Sequence, residues 1–181
     1  MISPLERDVA HLGDTRCSFR SDAIEESARA RRRYEDAANI LGADQMPFES
    51  SPDGLVKHLI NERMFTKECC VEAYMQFLPP HGRSGRHRHM WEEVLFVLEG
   101  SGHDLHWDLR FECIDKFEYQ WEPVPKRYEW QRGDFIYVPP FSIHQHHNDT
   151  DAEARLIVIS NRMVKAMGFN WLDQLENAPG Y

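Results

Sequence analysis

An all-β core with helices added at both ends is the fold class that this sequence predicts. Three observations carry it. Between residues 66 and 160, short runs with side-chain period two are separated by glycine and proline turns, the pattern of a sandwich or barrel. One run, His87 to Gly100, reads as a β-strand that puts His87, His89, Trp91, Glu93, Leu95 and Val97 on one face. A second unit, Gly133 to Asn148, reads as a strand, a Pro139-Pro140 turn and a histidine, His144, where the chain turns back.

The elements follow in order. Residues 1–20 have no clear period and read as an extended arm or loop. From Ser21 to Leu41 the composition suits a helix, with Asp22 as N-cap, Glu25 three residues on and Gly42 as the stop. Its apolar stripe is weak. Residues 42–53 are a connector with Pro47 and Pro52. Leu55, Val56, Leu59 and Ile60 make a patch that predicts a short second helix. Cys69 to Leu78 reads as a strand, and Pro79 to Gly85 as the loop delivering the chain to His87. Gly100-Ser101-Gly102 is a tight turn, with Asp104 to Trp107 as the return strand of a hairpin. Residues 108–126, rich in charge and aromatics, read as an excursion, a lid or a dimer contact. Tyr128–Trp130, Asp134–Val138 and Arg155–Ser160 resume as strands, the last of them buried. Met163, Val164, Met167, Trp171, Leu172 and Leu175 stand at helical spacing and predict a C-terminal helix. The expected organisation is an N-terminal arm and helices packing on the barrel (1–65), a barrel (66–160) and a helical tail (161–181), one structural domain in all.

The chain has 181 residues, 41% hydrophobic and 12% aromatic, which are globular values. Twenty-one basic against 30 acidic residues leave a formal charge of −9, which argues against nucleic-acid and anionic-membrane partners. Arg31-Arg32-Arg33 is flanked by Glu25, Glu26, Glu35 and Asp36 and reads as a solvated helix face. No apolar signal-peptide region or membrane-spanning run is visible. Cys17, Cys69, Cys70 and Cys113 show no CxxC spacing, and Cys69 and Cys70 would point to opposite strand faces. Reduced thiols and a cytoplasmic location are the expectation.

Two imidazoles and a carboxylate on one strand face are three ligands for one divalent metal, and His144 can supply a fourth. The set His87, His89, Glu93 and His144 is mixed nitrogen and oxygen, with no thiolate, and leaves about two of six octahedral positions open. Fe(II) is the favoured ion, because open positions beside such ligands suit oxygen chemistry; Mn, Ni, Co, Cu or Zn would also bind. Around the site, Trp91 walls the pocket or belongs to the ordinary barrel core. His146 shares parity with His144 and is either a catalytic acid or base or a partly exposed edge histidine. Arg83 clamps a substrate carboxylate or makes a surface salt bridge. Tyr137 and His103 are further candidate substrate contacts, with His106 and Trp107 weaker ones.

These residues resemble the two motifs of the cupin superfamily. The first, G-(x)5-H-x-H-(x)3,4-E-(x)6-G, is met from His87 through Gly100, with Gly82 one position off as the opening glycine. The second, G-(x)5-P-x-G-(x)2-H-(x)3-N, is met at Gly133, Pro139, His144 and Asn148, with Phe141 in place of the middle glycine. The resemblance implies a cupin-type double-stranded β-helix, a jelly-roll barrel, with the four ligands pointing into its mouth. Within the cupins, Pro80 to His89, Phe96 to Gly100, Gly133-Asp134-Phe135 and His144 to Asn148 look like gentisate and hydroxynaphthoate dioxygenases. That likeness implies an Fe(II) enzyme that binds a small hydroxylated aromatic acid through adjacent oxygens and cleaves it with O₂, Arg83 orienting the carboxylate. This chain departs by being a single cupin and by keeping Glu93.

Two other functions fit the same ligands. One is a non-oxidative lyase, isomerase or hydrolase on a small organic acid, with Glu93 or His146 moving protons. The other is a small-molecule-binding accessory protein. The apolar residues on both faces of Val94–Leu98 predict a homodimer or a higher homo-oligomer.

Overall fold

The computed structural model describes residues 17–67, 70–113 and 117–181. The expected arm of residues 1–20 therefore lies mostly outside the described residues, as does Cys69. Contacts divide the chain after Ala37 into two units. In the first, helix α1 (Phe19–Asp36) starts three residues before the predicted N-cap, so Asp22 sits in the first turn and takes a hydrogen bond from Ser18 at 2.6 Å. It stops before Leu41, at Ala37, whose ψ of 150° is extended.

Among the described residues the second unit holds thirteen strands: β1 (Phe48–Ser51), β2 (Gly54–Ile60), β3 (Val71–Leu78), β4 (Arg86–His89), β5 (Glu93–Glu99), β6 (Ser101–Trp107), β7 (Leu109–Cys113), β8 (Phe117–Trp121), β9 (Lys126–Gln131), β10 (Phe135–Val138), β11 (Ile143–Asn148), β12 (Ala154–Asn161) and β13 (Leu172–Glu176). A six-stranded sheet has the order β1-β2-β3-β12-β5-β10, and a five-stranded sheet the order β13-β4-β11-β6-β9. Between these strands the ladders are antiparallel. Late strands insert between early ones, β12 between β3 and β5 and β11 between β4 and β6. The result is a jelly-roll of two facing sheets.

The two inner faces differ in chemistry. On the larger sheet the alternation turns Leu78, Leu95, Val97, Ile136, Val138, Leu156 and Val158 inward, and they form the apolar core with Trp130 of β9. Burying each such aliphatic side chain contributes about 1.5–3 kcal/mol. The smaller sheet turns in polar groups instead: His87 and His89 from β4, His144 and His146 from β11, Asp104 and His106 from β6. Asn148 closes the loops at one end, its amide donating to the carbonyls of Leu78, Pro79 and Ala152 at 2.7–3.0 Å.

Two elements differ from the sequence expectation. Residues 54–60 are strand β2, not a helix. The turn Pro52-Asp53-Gly54, with Gly54 at φ +111°, folds β2 back on β1, and β2 also pairs with β3. Two strand partners outweigh a four-residue helical patch. The C-terminal helix is one turn, α2 (Met163–Ala166); Gly168 at φ +92° ends it, and β13 then pairs with β4. The excursion at 108–126 holds a hairpin, β7 with β8, whose Trp121 indole donates to the Phe141 carbonyl at 2.9 Å.

Candidate metal centre

The run expected as one strand from His87 to Gly100 is two strands in two sheets. β4 ends at His89, residues 90–92 turn, and β5 begins at Glu93 in the opposite sheet. The turn is held by Met90, which donates to the Trp171 carbonyl at 3.0 Å, and by the Phe141 amide, which donates to the His89 carbonyl at 2.8 Å. Glu93 therefore meets the histidines from across the sandwich. β11 runs beside β4 with His144 opposite His87. The four side chains His87, His89, Glu93 and His144 are all buried, and each offers a ligand atom within 4.8 Å of the others.

Hydrogen bonding orients the donors. His89 Nδ1 donates to the Trp91 carbonyl at 2.7 Å and His144 Nδ1 to the Ser142 carbonyl at 3.0 Å. A ring nitrogen facing a carbonyl must carry the proton, so in the neutral ring Nε2 is a lone pair. Both Nε2 atoms are buried without a hydrogen bond, as is Glu93 Oε2. Ser160 donates to Glu93 Oε1 at 2.9 Å, and His89 Nε2 lies 3.2 Å from that oxygen. Buried polar atoms left unsatisfied cost about 1–3 kcal/mol each, and an ion among them removes that cost. The donor set fits a divalent metal.

Electrostatics sort the histidines. Burial, then the charges of His87 and His89, hold His144 well below its ordinary value, so it stays neutral and able to ligate. Burial also opposes charge on His87, but Asp53 beside it, with Oδ1 3.2 Å from Nδ1, lifts it to about 9. Burial raises Glu93, and the charges of His89 and His87 outweigh this and bring it to about 2.

A cavity of about 190 Å³ opens beside the cluster, lined by His87, His89 and Glu93 together with Asp53, Tyr74, Trp91 and Glu72 among others. Trp91 is buried and stacks on His89, centroids 4.6 Å apart and planes within 3°. The other expected contacts lie elsewhere. Arg83 does not reach the cavity: its guanidinium pairs with Glu176 at 2.5 Å, the surface-salt-bridge reading. Tyr137 is 56% exposed and lines a separate groove between β9 and β10. His103 pairs with Asp149 at 2.7 Å and stacks on His147. His146 is neither an exposed edge residue nor a cavity residue. It is buried, with Nδ1 2.9 Å from Asp104 Oδ1.

Three participants escaped the sequence. Asp53 sits in a turn read as a connector, 34 residues before the histidine it adjoins, and no local pattern marks it. Ser160 ends a strand whose apolar run gave no reason to single it out. Asp104 gathers the Trp130 indole at 2.8 Å, His146 at 2.9 Å and His106 at 3.4 Å. Its polar side chain on the inner face of a strand was the available signal.

No family model and no curated protein matches the sequence. Solved structures do. An oxalate decarboxylase from Lactobacillus farciminis, in a formate complex, superposes with a TM-score of 0.58 at 15% identity, over 77% of this chain and 36% of that one. A mutant oxalate decarboxylase from Bacillus subtilis gives 0.52 at 18% identity, over 73% and 30%. The plu4264 protein of Photorhabdus luminescens gives 0.52 at 16%, over 73% and 92%. The chain thus spans about a third of the length of either decarboxylase. These likenesses and the interleaved sheets show a cupin fold. At such identity they carry the fold alone. Among the described residues no helix is long and apolar enough to cross a membrane.

Proposed function

We propose that this cupin is a metal-dependent oxygenase, with Fe(II) as the preferred ion and a small hydroxylated aromatic molecule as substrate. The observation that carries the reading is the convergence of two lone-pair imidazole nitrogens and a free carboxylate oxygen beside a cavity of about 190 Å³. His87, His89, Glu93 and His144 would hold the ion. A bound Fe(II) supplies adjacent coordination positions for O₂ and substrate oxygens.

The protein's own residues supply the rest. The Trp91 and Tyr74 rings line the cavity and would flank an aromatic ring bound there, and Tyr74 packs against the apolar core that includes Leu95 and Val158. Glu93 is the carboxylate placed to take a proton from a substrate hydroxyl as it approaches. The carboxylate clamp assigned to Arg83 is not part of this proposal, because that side chain is committed to Glu176.

The test is anaerobic reconstitution with Fe(II), followed by O₂ uptake over a panel of hydroxylated aromatic compounds. One O₂ consumed per ring cleaved supports the reading. Turnover without O₂, in protein carrying Zn or Mn, replaces it with the lyase or isomerase function. Ligand binding with no turnover leaves an accessory binding protein.

A further inference from the structure

The walls of the cavity beside the metal cluster carry an unusual balance of charge. Glu49, Asp53, Glu72 and Glu93 all line it, and no lysine or arginine does. Three of these carboxylates have partners. Glu49 pairs with His58 at 2.6 Å, Glu72 pairs with Arg162 behind the wall, and Glu93 takes the Ser160 hydroxyl. Asp53 is different. Gln76 donates to its Oδ2 at 2.7 Å, but Oδ1 is buried with no hydrogen bond. His87 Nδ1, 3.2 Å away, faces Oδ1 as an ion pair but makes no hydrogen bond to it. Opposite in character, the Trp91 indole N–H is also buried without an acceptor.

One wall therefore offers an unused acceptor and another an unused donor. A hydroxyl group answers both, since it accepts from an N–H and donates to a carboxylate. A carboxylate anion cannot donate, and it would bring a further negative charge toward Asp53, in a space lined by four carboxylates and by no lysine or arginine. The volume sets the size. A cavity of about 150 Å³ takes one benzene ring, so 190 Å³ takes one ring with small substituents.

We infer that the cavity selects small neutral ring compounds bearing hydroxyls over their carboxylate-bearing counterparts, and that Asp53 is the residue that enforces the choice. The inference rests on the metal-centre reading and narrows its substrate class.

Calorimetric titration of the Fe(II)-loaded protein under anaerobic conditions tests it. The probes are 3,4-dihydroxybenzamide and 3,4-dihydroxybenzoate, which share shape and hydroxyls and differ in charge. The amide is expected to bind at least about tenfold more tightly than the acid. Asp53→Asn, which keeps an acceptor for Gln76, is expected to bring the two within about threefold, mainly by improving the acid. Equal or tighter binding of the acid to the native protein overturns the inference without any variant. So does a preference that survives Asp53→Asn unchanged. Metal content measured on the same samples separates the two levels. Protein that takes up no ion overturns the metal centre and this inference with it, whereas one ion per chain and no preference for the amide overturns this inference alone.

Discussion

Strand β11 carries two buried histidines on one face, and the two live in opposite circumstances. His144 joins a cluster whose Nε2 and Oε2 atoms have no hydrogen bonds among the described residues. Two residues on, His146 joins a cluster centred on Asp104, where one carboxylate faces an indole N–H and two imidazoles. Ring centroids of His144 and His146 are only 5.5 Å apart. Burial opposes charge at both, yet Asp104 raises His146 while neighbouring histidines lower His144 further. The second cluster has the Asp104 carboxylate to balance an imidazole charge, although His146 Nδ1 is itself buried without a hydrogen bond. The first lacks a positive centre at the point where its lone pairs meet.

That contrast is open to direct attack. The largest effect is expected from His144→Ala. In thousandfold excess over its Kd, a divalent ion should stabilise the native protein by about 4 kcal/mol. His144→Ala should lose nearly all of that gain in thermal melts, with little change in chelator. Asp104→Asn should do the reverse. Removing the charge that pairs with His146 should cost about 3 kcal/mol of stability, while metal analysis still finds one ion per chain.

A pH series sharpens the same comparison. His87 is raised from 6.5 to about 9 when no ion is bound. Its charged form therefore stabilises the metal-free fold fully below pH 6.5, and that contribution disappears as pH rises through 9. Urea unfolding in chelator should show a loss on the order of 3 kcal/mol across that window, and Asp53→Asn should flatten it. Ion affinity should move oppositely, rising with pH as the competing proton leaves.

Smaller effects test the edges of the site. Ser160→Ala removes the hydroxyl that fixes Glu93 Oε1 and should weaken ion binding by about tenfold, read by competition with a chelating dye. Arg83→Ala should change stability by less than about 1 kcal/mol and ion affinity not at all, since its pair with Glu176 is half exposed. A marked loss of ion or ligand binding in that variant would return Arg83 to the site.

The sequence held the identities of the metal cluster more securely than its shape. Period two and motif spacing were enough to single out His87, His89, Glu93 and His144. The same periodicity suggested one continuous strand, yet Glu93 enters from the opposite sheet after the turn at 90–92. Parity survives a two-residue count whether or not the strand is broken, so the four side chains meet in the structure although the continuous strand that grouped them is absent. Phe141 shows a second limit. It stands where the motif has glycine, and it takes the glycine conformation, φ +64°, at a cost of about 1–2 kcal/mol. Its contacts show what holds it there. Its backbone bonds to His89 and Trp121, and its ring packs on Trp171. Such tertiary support is invisible in a motif. Strand β13 was misread for a related reason, because its partner β4 lies far off in the chain; β2 pairs with its neighbours β1 and β3, and its four apolar residues merely fall at helical spacing. Asp53 belongs with these, a turn residue whose meaning comes from a histidine across the fold.

X-ray absorption at the iron edge of anaerobically reconstituted protein tests the central claim most directly. The account expects one Fe(II) per chain, with a shell of nitrogen and oxygen atoms at about 2.0–2.2 Å and the scattering of three imidazole rings. Sulfur in the shell, fewer than three imidazoles, or protein that retains no iron would contradict it.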